Sequence, residues 1–300
     1  MLRGTMTSAA GEIHVTQPAI SRLIRDLEAD LGMRLFERRG KLLLPTAEAQ
    51  ALFIEVERAF TGLDRIRSVA EDIRAGRTST LRLAVLPAMA AGYAPRFVAK
   101  FCDERPNLKV TIDGLPSPNV RERVLSGEYD MGISAFPFVN NSFSVTPLND
   151  AAVAVLPACH RLAKSHVVKM SDLGEEKLIV LTKTPQHPLS MALQSGPFKQ
   201  VVETSLATIA CALAAEGMGI AIVDPFSASE FVGRSVVLRR IEPSFTIGVA
   251  IIHARGRRLS APAREFLDEF LAHTQLFLET NNFRLDQPVD RPQSDRSGIW

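Results

Sequence analysis

The sequence is poor in the features that mark several large classes of protein. Its 300 residues include three cysteines and 6% aromatic residues, and 35 Lys and Arg stand against 33 Asp and Glu, giving a net charge of +2. So few cysteines exclude a disulfide-stapled secreted scaffold, and the balanced charge excludes a polybasic chromatin-type protein and an acidic disordered chain. No apolar run approaches the ~18 residues of a membrane span, and the first residues lack the apolar core of a signal peptide. We therefore expect roughly two globular domains, in the cytoplasm and without a membrane partner.

Sequence patterns of catalytic and metal sites are missing as well. The cysteines lie far apart, neither C-x-x-C nor H-E-x-x-H occurs, and the six histidines have no sequence partners that imply a triad. Gly217-Met-Gly219 follows a predicted helix and precedes a predicted strand, the reverse of the dinucleotide-binding order. We therefore expect no catalytic residue, no metal and no cofactor, and three thiols buried as small apolar side chains: Cys102, Cys159 and Cys211.

Residues 16–32 carry a complete set of helix signals. Thr16 can cap the first turn, Pro18 suits that turn, and Gly32 can end the helix. Spacings of four, three and four residues predict one buried stripe, made of Ile20, Ile24, Leu27 and Leu31. Residues 7–12 predict a short helix just upstream, which completes a helix-turn-helix whose second helix fits the major groove of DNA. The candidate DNA contacts on that helix are Thr16, Gln17, Pro18, Ser21, Arg22 and Arg25. The alternative is an amphipathic helix whose arginines only face solvent.

The next segment, residues 35–45, favours DNA binding over that alternative. It reads as a strand, a basic turn around Gly40 and a second strand, which together form a β-hairpin. Three basic residues lie at or near the tip of this wing, where they suit a phosphate backbone or a minor groove: Arg38, Arg39 and Lys41.

Residues 49–73 then show apolar positions at alternating spacings of three and four, which is a heptad seam across more than three heptads. Thr46 offers a cap for this helix. The seam can be a stripe within one chain or the contact of a dimer. At 1.5 Å per residue the helix would be roughly 40 Å long. The seam residues that we expect to pair two copies are Leu52, Val56, Ala59, Leu63, Ile66, Ala70 and Ile73.

After the polar break at residues 74–80, predicted strands and helices alternate up to about residue 280. This alternation indicates an α/β fold with mostly parallel strands, in which ligands bind at the carboxyl ends of the strands. Hydroxyl groups and helix N-termini there can hold a carboxylate, and Asp224 could meet a cationic group. The candidate effector-binding residues are Ala88, Met89, Ser117, Ser134, Phe136, Thr184, Thr204, Ser205 and Asp224. Each of them could instead be a helix cap or a turn residue.

The stretch VTQPAISRLIRDLEADLGMRLFERRG, followed by LLLPTAEA, resembles the winged helix-turn-helix of the LysR-type transcriptional regulators. The likeness covers most of residues 5–280, and FERRG, GLPS and GIAIVDP look most like the opine-catabolism regulators that sense octopine or nopaline. It implies a dimer or tetramer that binds double-stranded DNA, contacts RNA polymerase and responds to a small-molecule effector, here an amino-acid-like or opine-like compound. Two alternatives remain, a solute-binding protein without DNA-binding activity and an enzyme.

The resemblance also implies a domain plan. A winged helix-turn-helix would occupy residues 1–47 and a dimerising linker helix 48–76. A two-lobed effector domain similar to periplasmic binding proteins would occupy 80–280, with lobe I at 80–150 and 254–280 and lobe II at 151–253. We expect residues 281–300 to be a disordered tail. The family has a further helix ahead of the two found here, so we expect the natural start to lie upstream of Met1.

Overall fold

The computed structural model describes residues 5–39, 42–74, 79–138, 140–182, 188–195 and 198–285. The chain divides into two compact units, Met1–Ser68 and Val69–Trp300, called here the N-terminal and the C-terminal unit. None of the helices in the described ranges is both long and apolar enough to cross a membrane.

The N-terminal unit contains the helix pair and the hairpin that the sequence predicts. Its elements are α1 (Met6–Glu12), α2 (Gln17–Leu31), the antiparallel strands β1 (Phe36–Arg39) and β2 (Leu42–Pro45), and most of α3 (Ala47–Arg74). Gly32 ends α2 in the left-handed conformation, with φ of 64°, which glycine adopts without steric cost. The Thr46 hydroxyl accepts from the N–H of Ala49 (3.1 Å) and so caps α3 as predicted.

The predicted buried stripe of α2 is only partly buried. Ile20 is buried and Ile24 half-buried, but Leu27 is 46% exposed and Leu31 is also exposed. Leu23, on the same side of the helix, is 59% exposed. The prediction is therefore wrong for Leu27 and Leu31, because no element within the described part of this unit packs over that end of α2.

Helix α3 has 28 residues and is therefore about 42 Å long. Along the predicted seam, Leu52 is half-buried, whereas Val56, Ile66 and Ala70 are exposed. The side chains of the other seam residues, Ala59, Leu63 and Ile73, lie outside the described part of the structure. The described seam residues beyond Leu52 are thus left uncovered within one chain.

The C-terminal unit is built from two mixed sheets and their helices. Its strands are β3 (Ser79–Val85), β4 (Leu108–Gly114), β5 (Met131–Ala135), β6 (Phe143–Pro147), β7 (Val153–Pro157), β8 (Val167–Lys169), β9 (Lys177–Leu181), β10 (Lys199–Thr204), β11 (Ile220–Val223), β12 (Val236–Glu242) and β13 (Val249–Ala254). Its α-helices are α4 (Pro87–Ala90), α5 (Tyr93–Asp103), α6 (Ser117–Ser126), α7 (Pro188–Ser195), α8 (Ala207–Ala215), α9 (Pro225–Ser229) and α10 (Ala261–Thr280). Two short 3-10 helices, Arg161–Lys164 and Met170–Leu173, flank β8.

Each sheet forms the centre of one lobe. Lobe I has the strand order β4-β3-β5-β13-β6, and lobe II has β10-β9-β11-β7-β12-β8. The strand pairs β3–β4, β3–β5, β9–β10 and β9–β11 are parallel, as predicted, but β13 and β7 run antiparallel to their neighbours. These antiparallel strands follow the segments that cross between the lobes, so the crossings reverse the strand direction.

The predicted lobe boundary at residues 253 and 254 is wrong. Strand β13 pairs with β5 and β6, so it belongs to lobe I and the second crossing ends before Val249. The first crossing, residues 148–152, pairs with the second, residues 243–248, since the N–H of Ala152 donates to the carbonyl of Phe245 (2.6 Å). The N–H of Val249, the first residue of β13, donates to the carboxylate of Asp150 in the first crossing (3.0 Å). Short-range sequence patterns contain no signal for this pairing.

The predicted disordered tail is wrong for residues 281–285. The carbonyl of Phe283 accepts from the N–H of Ala151 (2.8 Å), and the N–H of Leu285 donates to the carbonyl of Asn149 (3.0 Å). Phe283 is buried, so this segment packs on the first crossing. Residues 286–300 lie outside the described part of the chain.

The described cysteines match the expectation of buried thiols in part. Cys211 is buried, which raises the pKa of its thiol to about 12, and Cys102 is half-buried. The expectation is wrong for Cys159, which is exposed in the turn after β7. Within the described ranges, no three His, Cys, Asp or Glu side chains are grouped as a metal site requires.

Candidate nucleic-acid interface and ligand cleft

One side of α2 presents the polar side chains that the sequence nominates for DNA, and we call it the polar face of α2. Its members are Gln17, Pro18, Arg22 and Arg25, which are exposed, and Ser21, which is half-buried. Arg22 pairs with Asp26 at 3.6 Å, with both side chains mostly in solvent. Such an exposed pair contributes at most about 1 kcal/mol, so the guanidinium can exchange this carboxylate for a phosphate or a base edge.

Thr16 begins α2 but does not act as the side-chain cap that the sequence predicts. The N–H groups of Ala19 and Ile20 donate to the backbone carbonyl of Thr16 (3.0 and 3.2 Å), and its hydroxyl makes no capping hydrogen bond. The predicted role as a cap is therefore wrong, because the carbonyl alone serves the first turn. The Thr16 side chain is exposed beside Gln17.

A carboxylate on α2 holds the hairpin in place. Oε1 of Glu28 accepts from the N–H groups of Leu35 (2.7 Å) and Phe36 (3.0 Å), just where β1 begins. A charged acceptor shared by two backbone donors is among the stronger protein hydrogen bonds. The hairpin is thus fixed relative to the polar face of α2. The sequence shows Glu28 only as an acidic residue on the helix, so this role was not predicted.

The backbone of the hairpin is as predicted, but its tip lies outside the described structure. Arg38 and Arg39 are in β1, opposite Leu43 and Leu42, while their side chains and all of Gly40 and Lys41 are outside the described residues. Their predicted contact with DNA therefore stays a prediction.

A groove of about 590 Å³ lies between α2 and the hairpin. It is lined by Met6, Ser21, Ile24, Arg25, Glu28, Arg34, Phe36, Glu37 and Leu43. Two of the predicted DNA-binding residues, Ser21 and Arg25, therefore share one concave surface with an exposed arginine, Arg34, that was not predicted. The sequence did offer a signal for Arg34, because this basic residue lies directly before the predicted hairpin.

In the C-terminal unit, three loops lie side by side at the carboxyl edge of the lobe I sheet. The N–H of Leu86 donates to the carbonyl of Ile133 (2.9 Å), and the N–H of Leu115 donates to the carbonyl of Val85 (2.9 Å). The Ser117 hydroxyl, in the first turn of α6, accepts from the N–H of Ala135 (2.9 Å). Ser117 is half-buried, so its oxygen is bonded to the sheet yet close to the surface of this edge.

Four predicted effector contacts are buried and cannot touch a ligand in this conformation. Met89 is fully buried in the core of lobe I, and Phe136 is buried beside the second crossing. Asp224 is buried, and its carboxylate caps α9 by accepting from the N–H of Ser227 (2.7 Å). Ser134 is buried, and its hydroxyl accepts a hydrogen bond from a side chain of α6. For these residues the structure favours the cap and packing roles over ligand contact.

The remaining predicted residues are divided between the lobes. Ala88 is half-buried, and its carbonyl accepts from the Ser227 hydroxyl of lobe II (3.0 Å), so it lies at a direct contact between the lobes. Thr204 is half-buried and Ser205 exposed at the carboxyl end of β10 in lobe II. Thr184 lies outside the described residues. Ser117, Thr204 and Ser205 thus remain reachable from solvent.

An arginine that was not predicted joins this edge. Arg121, one helical turn after Ser117, donates from its guanidinium to the Ser134 hydroxyl (3.1 Å). The guanidinium carbon lies 4.9 Å from the centre of the Phe138 ring, in cation–π contact. The spacing of four residues from Ser117 was a usable sequence signal, because it puts both side chains on one side of α6.

Protein-family comparisons match both units. The model described as "Bacterial regulatory helix-turn-helix protein, lysR family" matches residues 1–50, and the model "LysR substrate binding domain" matches residues 74–275. Together they cover the helix pair, the hairpin and both lobes.

Individual relatives and a solved structure agree with these matches. The octopine catabolism/uptake operon regulatory protein OccR of Rhizobium meliloti is 38% identical over 90% of this chain and 91% of its own length. The regulatory protein NocR of Agrobacterium tumefaciens (strain T37) is 40% identical over 84% of this chain and 86% of its own. The crystal structure of full-length CbnR with its target DNA superposes with a TM-score of 0.68, at 19% identity, over 90% of this chain and 94% of that one.

Proposed function

The chain belongs to the LysR family of DNA-binding transcriptional regulators, and we propose that it reads its promoter through the polar face of α2. The observation that carries this proposal is the exposure of Gln17, Arg22 and Arg25 on one side of α2. Glu28 of the same helix anchors the hairpin beside this face. Gln and Arg are the side chains that pair with adenine and guanine edges in the major groove. Arg38, Arg39 and Lys41 on the hairpin would contact phosphates.

We propose further that two copies pair along the seam of α3. The support is the exposure of Val56, Ile66 and Ala70 on a helix about 42 Å long. A dimer doubles the DNA-contacting surface, so a modest basic charge on each N-terminal unit suffices for useful affinity. Assembly into a tetramer and contact with RNA polymerase, in the cytoplasm where promoters lie, belong to the same proposal.

The effector that we propose is an amino-acid-like or opine-like compound bound at the carboxyl edges of the sheets of lobes I and II. The support is the identity of 38% to a regulator that is named for octopine catabolism, and the hydroxyl groups of Ser117, Thr204 and Ser205 near these edges. For an effector to regulate transcription it must bind two arrangements of the protein with different affinity.

A footprinting experiment tests this function. The purified protein should protect two half-sites of the promoter beside its own gene, and an effector should change the extent of protection or the bend of the DNA. The variant Arg22→Ala/Arg25→Ala should lose most protection. The control Arg258→Ala/Arg264→Ala removes the same charge from two exposed positions of the C-terminal unit and should keep protection. Equal protection by the double variant would refute the proposed role of the polar face of α2. A footprint unaltered by every ligand that binds would refute the regulatory mechanism.

A further inference from the structure

Two contacts hold the guanidinium of Arg121 at the carboxyl edge of the lobe I sheet. They fix its position but use few of its N–H donors. One N–H donates to Ser134, whose hydroxyl in turn contacts the carbonyl of Ala135 (3.3 Å). The ring of Phe138 supports the planar group. A guanidinium has five N–H donors, and this is its single hydrogen bond within the described residues.

Helix α6 itself is set closely against the sheet. A Cβ on Gly132 of β5 would lie 2.4 Å from a methyl group of Val120, so only glycine permits this approach. Val120 is fully buried, and Arg121 follows it directly. The close packing of α6 therefore fixes the position of the Arg121 backbone, and the contacts with Ser134 and Phe138 fix the position of its guanidinium.

Arg121 differs from five other arginines of the C-terminal unit because it has no carboxylate partner among the described residues. Those five form ion pairs, namely Arg96 with Glu230, Arg105 with Glu265 and Glu269, Arg123 with Glu128, Arg161 with Glu176, and Arg284 with Glu279. Arg121 is half-buried, and still no acidic side chain in the described part of the chain balances its positive charge.

This arrangement has an energetic cost that an anion would offset. Burial lowers the pKa of the Arg121 guanidinium from its usual value, because removal of water disfavours the charged form. An arginine nevertheless stays protonated in proteins. A partly desolvated cation without a counter-ion is the environment in which a bound carboxylate gains most from a charge-assisted hydrogen bond.

We propose that Arg121 binds a carboxylate of the effector, with the hydroxyl of Ser117 one helical turn away as a second polar contact. This inference rests on the proposed effector site at the carboxyl edges of lobes I and II, and it adds the chemical class of the group that is recognised there. The planar guanidinium fork matches the two oxygens of a carboxylate. Ser134 is the positioning residue that orients the fork.

The test compares carboxylates with their amides on the full-length protein. The probes are octopine, the standard L-amino acids, the carboxamides of those amino acids, and inorganic phosphate, and binding is measured by calorimetry. At least one carboxylate should bind, and its amide should bind about tenfold to a hundredfold more weakly, the range expected for loss of a hydrogen bond to a charged group. This comparison needs no substitution, so it stands even if a variant fails to fold.

Variants then assign the effect to Arg121. Arg121→Gln should lower the affinity for the same carboxylate by the same factor. Arg121→Lys should bind it with intermediate affinity, because lysine keeps the positive charge but lacks the planar guanidinium fork. Arg123→Gln is the matched control on the same helix, since Arg123 is already paired with Glu128. Unchanged affinity in Arg121→Gln would overturn the inference. So would equal binding of acid and amide, tighter binding of phosphate, or no binding by any carboxylate of the panel.

Promoter binding, measured on the same samples, separates this inference from the proposed function. If the wild-type protein binds its promoter and Arg121→Gln binds the carboxylate as tightly as the wild type does, only the inference is contradicted. A protein that binds no promoter contradicts the proposed function, whatever the calorimetry shows.

Discussion

The N-terminal and C-terminal units bury their apolar side chains to very different extents. In the described part of the N-terminal unit, the buried hydrophobic residues are Ala10, Ile20, Leu35 and Ala49. The C-terminal unit instead contains extended cores in both lobes, with the aromatic rings of Phe97, Phe101, Phe266 and Phe270 packed together between α5 and α10. The N-terminal unit therefore relies on individual hydrogen bonds such as those of Glu28, whereas the C-terminal unit relies on close packing of large apolar side chains.

The largest expected effect is on the stability of the C-terminal unit. Phe270→Ala removes a fully buried ring that lies 5.1 Å from the ring of Phe97, and should cost about 3–5 kcal/mol. Leu27→Ala, at a half-exposed position of α2, should cost less than about 1 kcal/mol. Urea unfolding followed by circular dichroism measures both losses. Equal losses in the two variants would remove the contrast between the units.

The next effect concerns self-association through α3. Ile66 is 66% exposed in one chain, and its burial in a dimer should contribute about 1.5–3 kcal/mol per side chain. Ile66→Ser should therefore raise the dimer dissociation constant at least tenfold in sedimentation equilibrium and leave the unfolding of the chain unchanged. Arg67→Ser, at the exposed neighbouring position off the seam, is the control. A dimer as tight as that of the wild type would exclude Ile66 from the interface.

A smaller effect is expected from the tether of the hairpin. Glu28→Ala removes two hydrogen bonds to backbone N–H groups and should weaken promoter binding by about 1–3 kcal/mol, because the hairpin is no longer fixed to α2. Asp30→Ala removes the same charge from an exposed position of α2 and should not weaken binding. Fluorescence anisotropy with promoter DNA distinguishes them, and a parallel loss in both variants would show that charge, not the tether, matters.

The smallest effect is a pH dependence of the C-terminal unit. Burial lowers the pKa of His273 below its usual value of 6.5, and the charges of Lys100 and Arg96 lower it further. Protonation therefore disfavours the folded state, so stability is fully present above about pH 6.5 and is lost as the pH falls below it. His273→Gln should flatten the fall of the melting temperature across this range. An unchanged profile would assign the acid sensitivity to other groups.

The N-terminal unit was predictable where the signals are local. Apolar spacing and Gly32 mark α2, the basic turn marks the hairpin, and the heptad pattern marks α3. What failed there depends on neighbours in space. The exposure of Leu27 and the tether of Glu28 both follow from which elements pack together, and periodicity along the chain does not contain that information.

In the C-terminal unit the alternation of strands and helices predicted the class of fold but not the detail of the site. Strand β13 was assigned to the wrong lobe, because strand pairing across the two crossings is set by contacts between residues about a hundred positions apart. Asp224 at a strand end was a reasonable ligand candidate, yet it caps α9. Arg121 was missed because its surroundings include Ser134 and Phe138, which only the folded sheet brings to it.

The ratio of affinities for promoter DNA and for a scrambled duplex tests the central claim, that the polar face of α2 reads sequence. Fluorescence anisotropy of wild type and Arg22→Ala, at one fixed salt concentration, gives this ratio directly. Loss of a specific base contact should cost about 1–3 kcal/mol and so lower the ratio about fivefold to 150-fold, with little change for the scrambled duplex. An unchanged ratio, or an equal loss on both duplexes, would contradict the claim.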